Sequence, residues 1–238
     1  MKFEILKQTE NWVAVNKPAG MLTIPDRFNP SQANIKSILD PLFEEVYVVH
    51  RLDRETSGLV IFALNAEHHK SISSQFQNRE VKKTYLAVVD GFPPSEGVID
   101  APLAESTVKR GKMLVHQRGK DAITSYKVLE QFRNASLCEV NIHTGRMHQI
   151  RVHFAHIGHP LIVDSLYGKR DAFLLSELKG RKFKLGKYEE EEKPLISRQT
   201  LHAFRLEFKE QDNGKIISVE APMPKDLTAL INQLRKFT

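Results

Sequence analysis

The sequence predicts an α+β fold in which a mixed, largely antiparallel sheet is flanked by helices. Short apolar, partly β-branched runs recur along the chain, as expected for strands. Three other segments show helical spacing, and strands and helices do not alternate strictly as they do in βαβ folds. A length of 238 residues fits one or at most two domains. We expect a single domain over residues 1–238, with two halves as an open alternative.

The first predicted strands surround a polar loop. Residues 12–16 are apolar and stop at Lys17-Pro18, where proline withdraws a hydrogen-bond donor from the ladder. Residues 46–49 and 58–64 are apolar runs on either side of the loop, and residues 84–89 end at the turn signal Asp90-Gly91. Further strands are predicted as two antiparallel pairs: residues 123–129 with 135–142, and residues 201–208 with 216–220 across Asn213-Gly214.

Three helices are predicted from apolar spacing. The first covers residues 66–79, with Asn65 as N-cap and with Ile72 and Phe76 four residues apart on one face. The second is amphipathic and ends at Gly158. Its apolar face repeats at steps of three, four and three residues: Met147, Ile150, Phe154 and Ile157. The terminal helix carries the apolar residues Leu227, Leu230, Ile231 and Leu234.

Composition limits the class of protein. The 35 Lys and Arg against 29 Asp and Glu give a net charge of +6, which favours an anionic partner. A single cysteine excludes a disulfide framework and an all-cysteine zinc site. No apolar run approaches a membrane span, and residues 1–7 lack a signal-peptide core. We therefore expect a cytoplasmic protein without membrane association. Two charged stretches are predicted to lie outside the core. Residues 169–193 are interpreted as a solvated loop, and residues 105–120 as a basic loop that is a candidate contact for an anionic partner, with a solvated loop as its alternative.

The polar loop His50-Arg51-Leu52-Asp53-Arg54-Glu55-Thr56-Ser57-Gly58 is the most informative segment. Loops anchored by rigid strands can hold reactive side chains in place. Asp53 lies between Arg51 and Arg54, and neighbouring cations favour the ionised form of a carboxyl group. Asp53 is therefore a candidate nucleophile or general base. From the residues alone, a structural ion pair that fastens the loop is the favoured alternative, because ion pairs are common.

Two more segments contain candidate site residues. Thr144-Gly145 is expected to end a strand and open the second helix, on which Arg151 lies at the edge of the buried face. Tyr85 shares a strand face with Lys83, and its alternative interpretation is a core-edge tyrosine with its hydroxyl in water.

Taken together, these segments resemble the RluA-type RNA pseudouridine synthases. The resemblance covers most of the chain and keeps the family's motif order. It rests on four motifs: His50-Arg51-Leu52-Asp53 with Thr56-Ser57-Gly58, Asn16-Lys17-Pro18-Ala19-Gly20, Lys83-Thr84-Tyr85-Leu86-Ala87, and residues 144–153. It implies the pseudouridine synthase fold with a catalytic cleft across the sheet, RNA as partner, and neither cofactor nor metal.

The resemblance also implies roles for individual residues. Asp53 is the nucleophile, Arg51 takes part in base flipping, and Tyr85 is the active-site tyrosine. Arg151 is the basic residue that pairs with the catalytic aspartate. Further substrate-binding candidates are Lys17, Arg146, His148 and Ile150, the last as part of a wall that excludes water. The sequence leaves open whether Asp53 attacks C1′, removes a ribose proton to give a glycal, or adds to C6.

The chain departs from the family pattern at three places. We expect no S4-like RNA-binding domain ahead of the lysine–proline motif and no separate RNA-binding domain elsewhere. Valine precedes Asp164 where relatives often have glycine, and residues 169–193 form a longer insertion than expected. We expect a monomer that acts on large-subunit rRNA or, second, tRNA.

Two other functions are alternatives to this interpretation. A catalytically inactive rRNA- or tRNA-binding factor of the same fold is disfavoured by the intact Asp53, Tyr85 and Arg151. A metal-dependent hydrolase would use the histidines at 143, 148, 153, 156 and 159. The step of five from His148 to His153 does not match the four-residue step of helical zinc motifs. We interpret these histidines as packing, capping or RNA-contacting residues.

Overall fold

The computed structural model describes residues 3–186, 190–211 and 213–238, which form two compact units. The first unit comprises Met1–Tyr85 and His202–Met223, and the second comprises Leu86–Leu201 and Pro224–Thr238. The strands are β1 (Glu4–Gln8), β2 (Trp12–Lys17), β3 (Tyr47–Val48), β4 (Ser57–Ala63), β5 (Lys82–Asp90), β6 (Glu96–Asp100), β7 (Leu103–Glu105), β8 (Met113–Val115), β9 (Ile123–Gln131), β10 (Ala135–Ile142), β11 (Leu201–Lys209) and β12 (Ile216–Glu220). The α-helices are α1 (Ile35–Leu39), α2 (Ala66–Gln77), α3 (Gln149–His156), α4 (Leu175–Lys179) and α5 (Lys225–Lys236).

The first unit is built on a mixed sheet in the order β1-β2-β4-β11, with β3 paired to β4 and β12 to β11. The β1–β2, β2–β4 and β11–β12 pairs are antiparallel, whereas β4 and β11 are parallel at Ser57↔His202 and Gly58↔Ala203. Alternate residues of β2 and β4 enter different apolar clusters. Trp12 and Ile61 pack with Ile72 of α2, whereas Val13 and Phe62 share a cluster with α1.

The second unit contains the antiparallel pairs β9–β10 and β6–β9, in the order β5-β10-β9-β6, and the small sheet β7–β8. Strand β5 begins in the first unit and belongs to the second from Leu86 onward. These pairings confirm the predicted α+β class with a mostly antiparallel sheet. Within the described residues, no helix combines the length and the apolar character that crossing a bilayer requires.

The predicted strands, the Asn65 cap and the terminal helix are confirmed. The Asn65 side chain accepts a hydrogen bond from the backbone N–H of His68 at 2.9 Å. The second predicted helix is corrected. It begins at Gln149, after His148 adopts left-handed backbone with φ 56°, so Thr144-Gly145 does not open it. Every residue from Gln149 to Phe154 is buried while Met147 is 37% exposed, so this helix is buried rather than amphipathic.

Both charged stretches contain more structure than predicted. Residues 105–120 include β8, which pairs with β7. In residues 169–193, Phe173 and Leu178 are buried, and Phe173 forms a β-bridge with Ile196. The interpretation of this second stretch as lying wholly outside the core is therefore wrong. Lys187 and Glu189 lie outside the described residues.

Candidate active site

In the first unit, residues 50–57, hereafter the Asp53 loop, join β3 to β4 and are fastened by Lys17. The Lys17 side chain is fully buried at the end of β2. Its Nζ donates to the carbonyl oxygens of Pro18, Met21 and Arg54 at 3.1, 2.7 and 2.8 Å. A buried ammonium group is tolerated only when its donors are satisfied. The prediction that Lys17 binds substrate is corrected: its side chain is inaccessible, and it ties the loop to the turn after β2.

The same turn holds the Asp53 loop by further backbone contacts. The Thr23 hydroxyl accepts from Leu52 N at 3.2 Å and lies 3.3 Å from the Leu52 carbonyl oxygen. Gly20 N donates to the Arg54 carbonyl at 2.9 Å, and Arg54 Nε donates back to the Gly20 carbonyl at 3.2 Å. Residues on both sides of Asp53 are therefore fixed through their main chain. This arrangement gives the lysine–proline motif a structural role.

His50 fixes the start of the loop. Its Nε2 accepts a hydrogen bond from Ile61 N of β4 at 3.0 Å, and its ring stacks on Phe76 with centroids 4.7 Å apart. Burial, with a smaller contribution from the Lys83 charge, lowers the pKa of His50 to about 3. The imidazole is therefore neutral at physiological pH and serves as a hydrogen-bond acceptor.

Ser57 and Gly58 fix the end of the loop. The Ser57 hydroxyl lies 3.0 Å from His202 Nδ1, and His202 Nε2 lies 3.1 Å from the Ala221 carbonyl. Because a carbonyl only accepts, the ring proton is on Nε2, and Nδ1 accepts from Ser57. Gly58 has φ 117°, and a Cβ there would lie 2.2 Å from the Ala203 carbonyl oxygen. Only glycine fits this approach of β4 to β11.

The loop thereby presents Asp53 and Arg51 while Leu52 between them is buried. Asp53 is half-buried, and Arg51 is exposed. Tyr85, on β5, is also half-buried and packs against the apolar cluster that contains Leu52. Burial, and secondly the negative charge of Asp53, raise the pKa of the Tyr85 hydroxyl. The first unit thus brings together the carboxyl group of Asp53 and the protonated phenol of Tyr85, which interact electrostatically.

Arg151, in the second unit, is held by groups that the sequence analysis did not identify. Its side chain is 4% exposed on α3. Nε donates to Asp164 Oδ2 at 2.6 Å and Nη2 donates to Asp164 Oδ1 at 2.8 Å, a bidentate pair. Its guanidinium carbon lies 4.8 Å from the centroid of the Tyr167 ring. Asp164 therefore holds the guanidinium along one edge, and the Tyr167 ring covers one of its faces.

Asp164 is fully buried and accepts backbone hydrogen bonds as well. Its Oδ1 accepts from Leu166 N at 2.9 Å and from Tyr167 N at 3.1 Å. Burial alone would raise the pKa of this carboxyl, but the bonds from Arg151 and the two N–H groups outweigh it and lower the pKa. One signal was available in the sequence: Asp164 directly follows the apolar run 161–163, where an acidic residue requires a partner.

The other predicted binding residues lie near the start of α3. Arg146 is half-buried and donates from Nε to the Asp121 carbonyl at 3.0 Å. His148 Nδ1 lies 2.8 Å from the Tyr167 hydroxyl, and Ile150 is 4% exposed. Gln149 accepts from the Thr144 hydroxyl at 2.7 Å and from Arg146 N at 3.0 Å. The threonine and glutamine of this motif thus shape the turn that carries Arg146.

Three of the five histidines have separate structural partners in the second unit. His143 lies 2.9 Å from the Ser125 hydroxyl, His159 lies 2.9 Å from the Asp90 carbonyl, and buried His153 lies 2.9 Å from both the Thr124 hydroxyl and the Ala101 carbonyl. In the part of the chain that the structure describes, no three His, Cys, Asp or Glu residues are grouped so that they could hold a metal ion. His143, His153 and His159 are thus accounted for by packing and capping.

Comparison with known proteins agrees with this geometry. Residues 11–156 match the family model described as RNA pseudouridylate synthase. The "Ribosomal large subunit pseudouridine synthase D" of Zymomonas mobilis is 35% identical over 97% of this chain and 72% of its own length. The protein of the same name from Xanthomonas campestris is 36% identical over 98% of this chain and 69% of its own.

Solved structures show the same fold. The structure of "Human RNA Pseudouridylate Synthase Domain Containing 4" has a TM-score of 0.75 and 25% identity, and the match covers 97% of this chain and 92% of that one. The structure of "Human RNA Pseudouridylate Synthase Domain Containing 1" has a TM-score of 0.69 at 24% identity, and this match shows the fold alone.

The fold and the loop-borne aspartate define an RNA-acting isomerase of the pseudouridine synthase class. Within that class, the chain belongs to the RluA-type RNA pseudouridylate synthase family. The alternative function, a catalytically inactive RNA-binding factor of the same fold, is not favoured, because the matching relatives are named as synthases.

Proposed function

We propose that this chain converts uridine to pseudouridine in large-subunit ribosomal RNA, with Asp53 as the nucleophile. The observation that carries the assignment of Asp53 is the Asp53 loop itself. Its backbone is fixed by Lys17 and Thr23, while the carboxylate remains half-buried beside the protonated Tyr85. The ribosomal substrate is proposed from the names of the relatives, and transfer RNA is the second candidate. A cytoplasmic location follows from that substrate.

Pseudouridine formation breaks the N1–C1′ bond of uridine and joins C5 to C1′, and the C5 proton leaves while N1 gains one. The target must first leave its stack, which costs a few kcal/mol and least in RNA loops. Exposed Arg51 is placed to occupy the vacated position, because guanidinium can stack on bases and bind phosphate. Asp53 then reacts with the nucleotide by one of the three routes left open above. Tyr85, kept protonated, stacks on the extruded base near C5.

We further propose that Arg151 keeps Asp53 ionised and correctly oriented, as the family resemblance implies. Support comes from the second unit: a fully buried carboxylate and an aromatic ring fix this guanidinium in one orientation. A preorganised cation stabilises charge without reorganisation during the reaction. Ile150, buried on the same helix, is proposed to help exclude water.

Phosphate contacts are proposed for exposed Lys82, for Arg146 and for the basic residues of the β7–β8 region. Lys109, Arg110, Arg118 and Lys120 are exposed there. No phosphate contact is proposed for the neighbouring Lys83, because it is buried with its Nζ 5.8 Å from the Phe76 ring centroid. Binding should weaken with salt, because each phosphate contact releases counterions.

Release of tritium from RNA that carries 5-tritiated uridine tests the proposal. Wild-type protein should release tritium, and Asp53→Asn should bind the same RNA without releasing it. Asp26→Asn is a matched control, because Asp26 is an acidic residue of the first unit outside the Asp53 loop. Equal release by wild type and Asp53→Asn would refute the nucleophile.

The proposed role of Tyr85 is tested by Tyr85→Phe, which keeps the ring and removes the hydroxyl. Turnover should fall while RNA affinity is kept, since the stacking surface remains. Full turnover by Tyr85→Phe would show that only the ring is used. Tyr47→Phe, at a tyrosine that binds Glu45, is the matched control.

A further inference from the structure

The Tyr167 side chain has two separate sets of contacts in the second unit. Its ring lies 4.8 Å from the Arg151 guanidinium carbon, on a face that Asp164 does not occupy. Its hydroxyl accepts from Met113 N at 2.8 Å and lies 2.8 Å from His148 Nδ1. Because Met113 N can only donate, the hydroxyl oxygen accepts this bond and keeps its proton for a second one. One side chain therefore contacts the guanidinium with its ring and the backbone of β8 with its hydroxyl.

The segment bonded to Tyr167 is also rich in basic residues. We call residues 103–120 the basic hairpin. Its ends are joined by paired backbone bonds between Leu103 and Lys120, and His116 N donates to the Pro102 carbonyl. Lys112, next to Met113, has its Nζ 5.7 Å from the centroid of the Tyr167 ring. Any anion that binds Lys112 thus acts one residue from the Met113–Tyr167 bond.

Arg151 itself has little freedom to move independently of Tyr167. The Nε–Nη2 edge of its guanidinium is bonded to Asp164, and Asp164 also accepts from the backbone N–H of Tyr167. A displacement of the Tyr167 main chain would therefore displace the carboxylate as well as the ring. Hydrogen-bonded networks of this kind pass small movements on, because their members cannot shift one at a time.

We propose that Tyr167 is a positioning residue that couples RNA binding at the basic hairpin to the orientation of Arg151. The inference rests on the proposed function, in which Arg151 acts in the isomerisation and the hairpin binds RNA. An RNA phosphate on Lys112 fixes β8, β8 fixes the Tyr167 hydroxyl through Met113 N, and the ring and Asp164 fix the guanidinium. Binding at the hairpin then raises the rate of the chemical step in addition to affinity.

A double-mutant cycle with Tyr167→Phe and Lys112→Ala tests the coupling. The measurement is the single-turnover rate of tritium release at saturating RNA, where loss of affinity alone has no effect. Each single variant should lower that rate about fivefold. The double variant should be no slower than the slower single variant, because both substitutions break the same connection between the hairpin and Arg151. Rates that multiply in the double variant, about 25-fold slower, would show independent effects and overturn the proposal.

Lys112→Ala keeps the proposal testable if Tyr167→Phe does not fold. If Lys112 only binds phosphate, its removal raises KM and leaves the saturating rate unchanged. If the coupling holds, its removal raises KM and also lowers the saturating rate. The matched control is Lys127→Ala, which removes an exposed charge on β9 and should leave the saturating rate unchanged. An unchanged saturating rate in Lys112→Ala would overturn the coupling. Absence of tritium release by wild type would instead refute the proposed function.

Discussion

Asp53 and Arg151, the two charged residues of the proposed mechanism, are held in opposite ways. The Asp53 loop is fixed through its main chain, by Lys17 on the Arg54 carbonyl, Thr23 on Leu52 and His50 on β4. Arg151 is fixed through its charged group, by the buried carboxylate of Asp164. The first arrangement fixes the backbone on both sides of the half-buried carboxylate. The second makes the cation part of the interior of its unit.

The difference predicts which substitutions affect folding and which affect only the reaction. Replacing Asp53 by asparagine leaves the main-chain bonds of its loop in place. Replacing one member of a buried ion pair leaves its partner charged and unpaired, which is strongly destabilising. The following predictions run from the largest expected effect on stability to the smallest.

Arg151→Met should lower the free energy of unfolding by about 3–5 kcal/mol, because Asp164 would remain buried without its cation. Asp53→Asn should unfold like wild type, although its turnover falls at least about a thousandfold. Urea denaturation of both variants measures the contrast. Equal stability of the two would contradict the comparison, and Arg151→Met/Asp164→Leu should recover part of the loss.

Gly58→Ala should destabilise by roughly 2–4 kcal/mol, because positive φ and the contact with the Ala203 backbone both oppose a Cβ. Gly145→Ala is the matched control, since a Cβ at Gly145 meets nothing within 4 Å. Thermal unfolding compares them. If both variants unfold at the wild-type temperature, the end of the Asp53 loop is not fixed as described.

Lys17→Met should cost about 1–3 kcal/mol, because it leaves buried carbonyl groups without their donor. The salt dependence of RNA affinity should stay that of wild type, since Lys17 is fully buried. Lys109→Met, at an exposed position of the basic hairpin, should instead reduce the salt slope by roughly one unit. A reduced slope in Lys17→Met would restore the original prediction that Lys17 contacts phosphate.

The two regions should also lose stability in different pH ranges. The pKa of His50 is lowered from 6.5 to about 3, so the unfolded chain binds its proton more readily, and stability falls as pH drops below 6.5. The pKa of Asp164 is lowered from 3.8, so its contribution is full above 3.8 and is lost only as pH falls further. His50→Gln should remove the first slope and Asp164→Asn the second, as measured by denaturation at a series of pH values. A slope near pH 6 that survives in His50→Gln would contradict this assignment.

Local patterns were enough to predict the strands, the Asn65 cap and the position of Asp53 in a strand-bounded loop. Alternation and capping depend on neighbours in sequence, and so do turns such as that at Asn213-Gly214. The burial of a charged side chain, in contrast, depends on residues that are distant in sequence. Lys17 was predicted to be a substrate contact because nothing in its sequence neighbourhood reveals the Arg54 carbonyl, 37 residues away. The Asp164 and Tyr167 contacts of Arg151 were missed for the same reason, and the start of α3 because His148 adopts left-handed backbone.

The central claim is that the Asp53 carboxylate carries out uridine isomerisation on ribosomal RNA. The most direct measurement is nucleotide-resolution mapping of pseudouridine in large-subunit rRNA from a deletion strain, complemented with wild type or with Asp53→Asn at equal protein levels. The account predicts that one or more pseudouridines disappear on deletion, return with the wild-type protein and stay absent with Asp53→Asn. Return of the same pseudouridines with Asp53→Asn would contradict it.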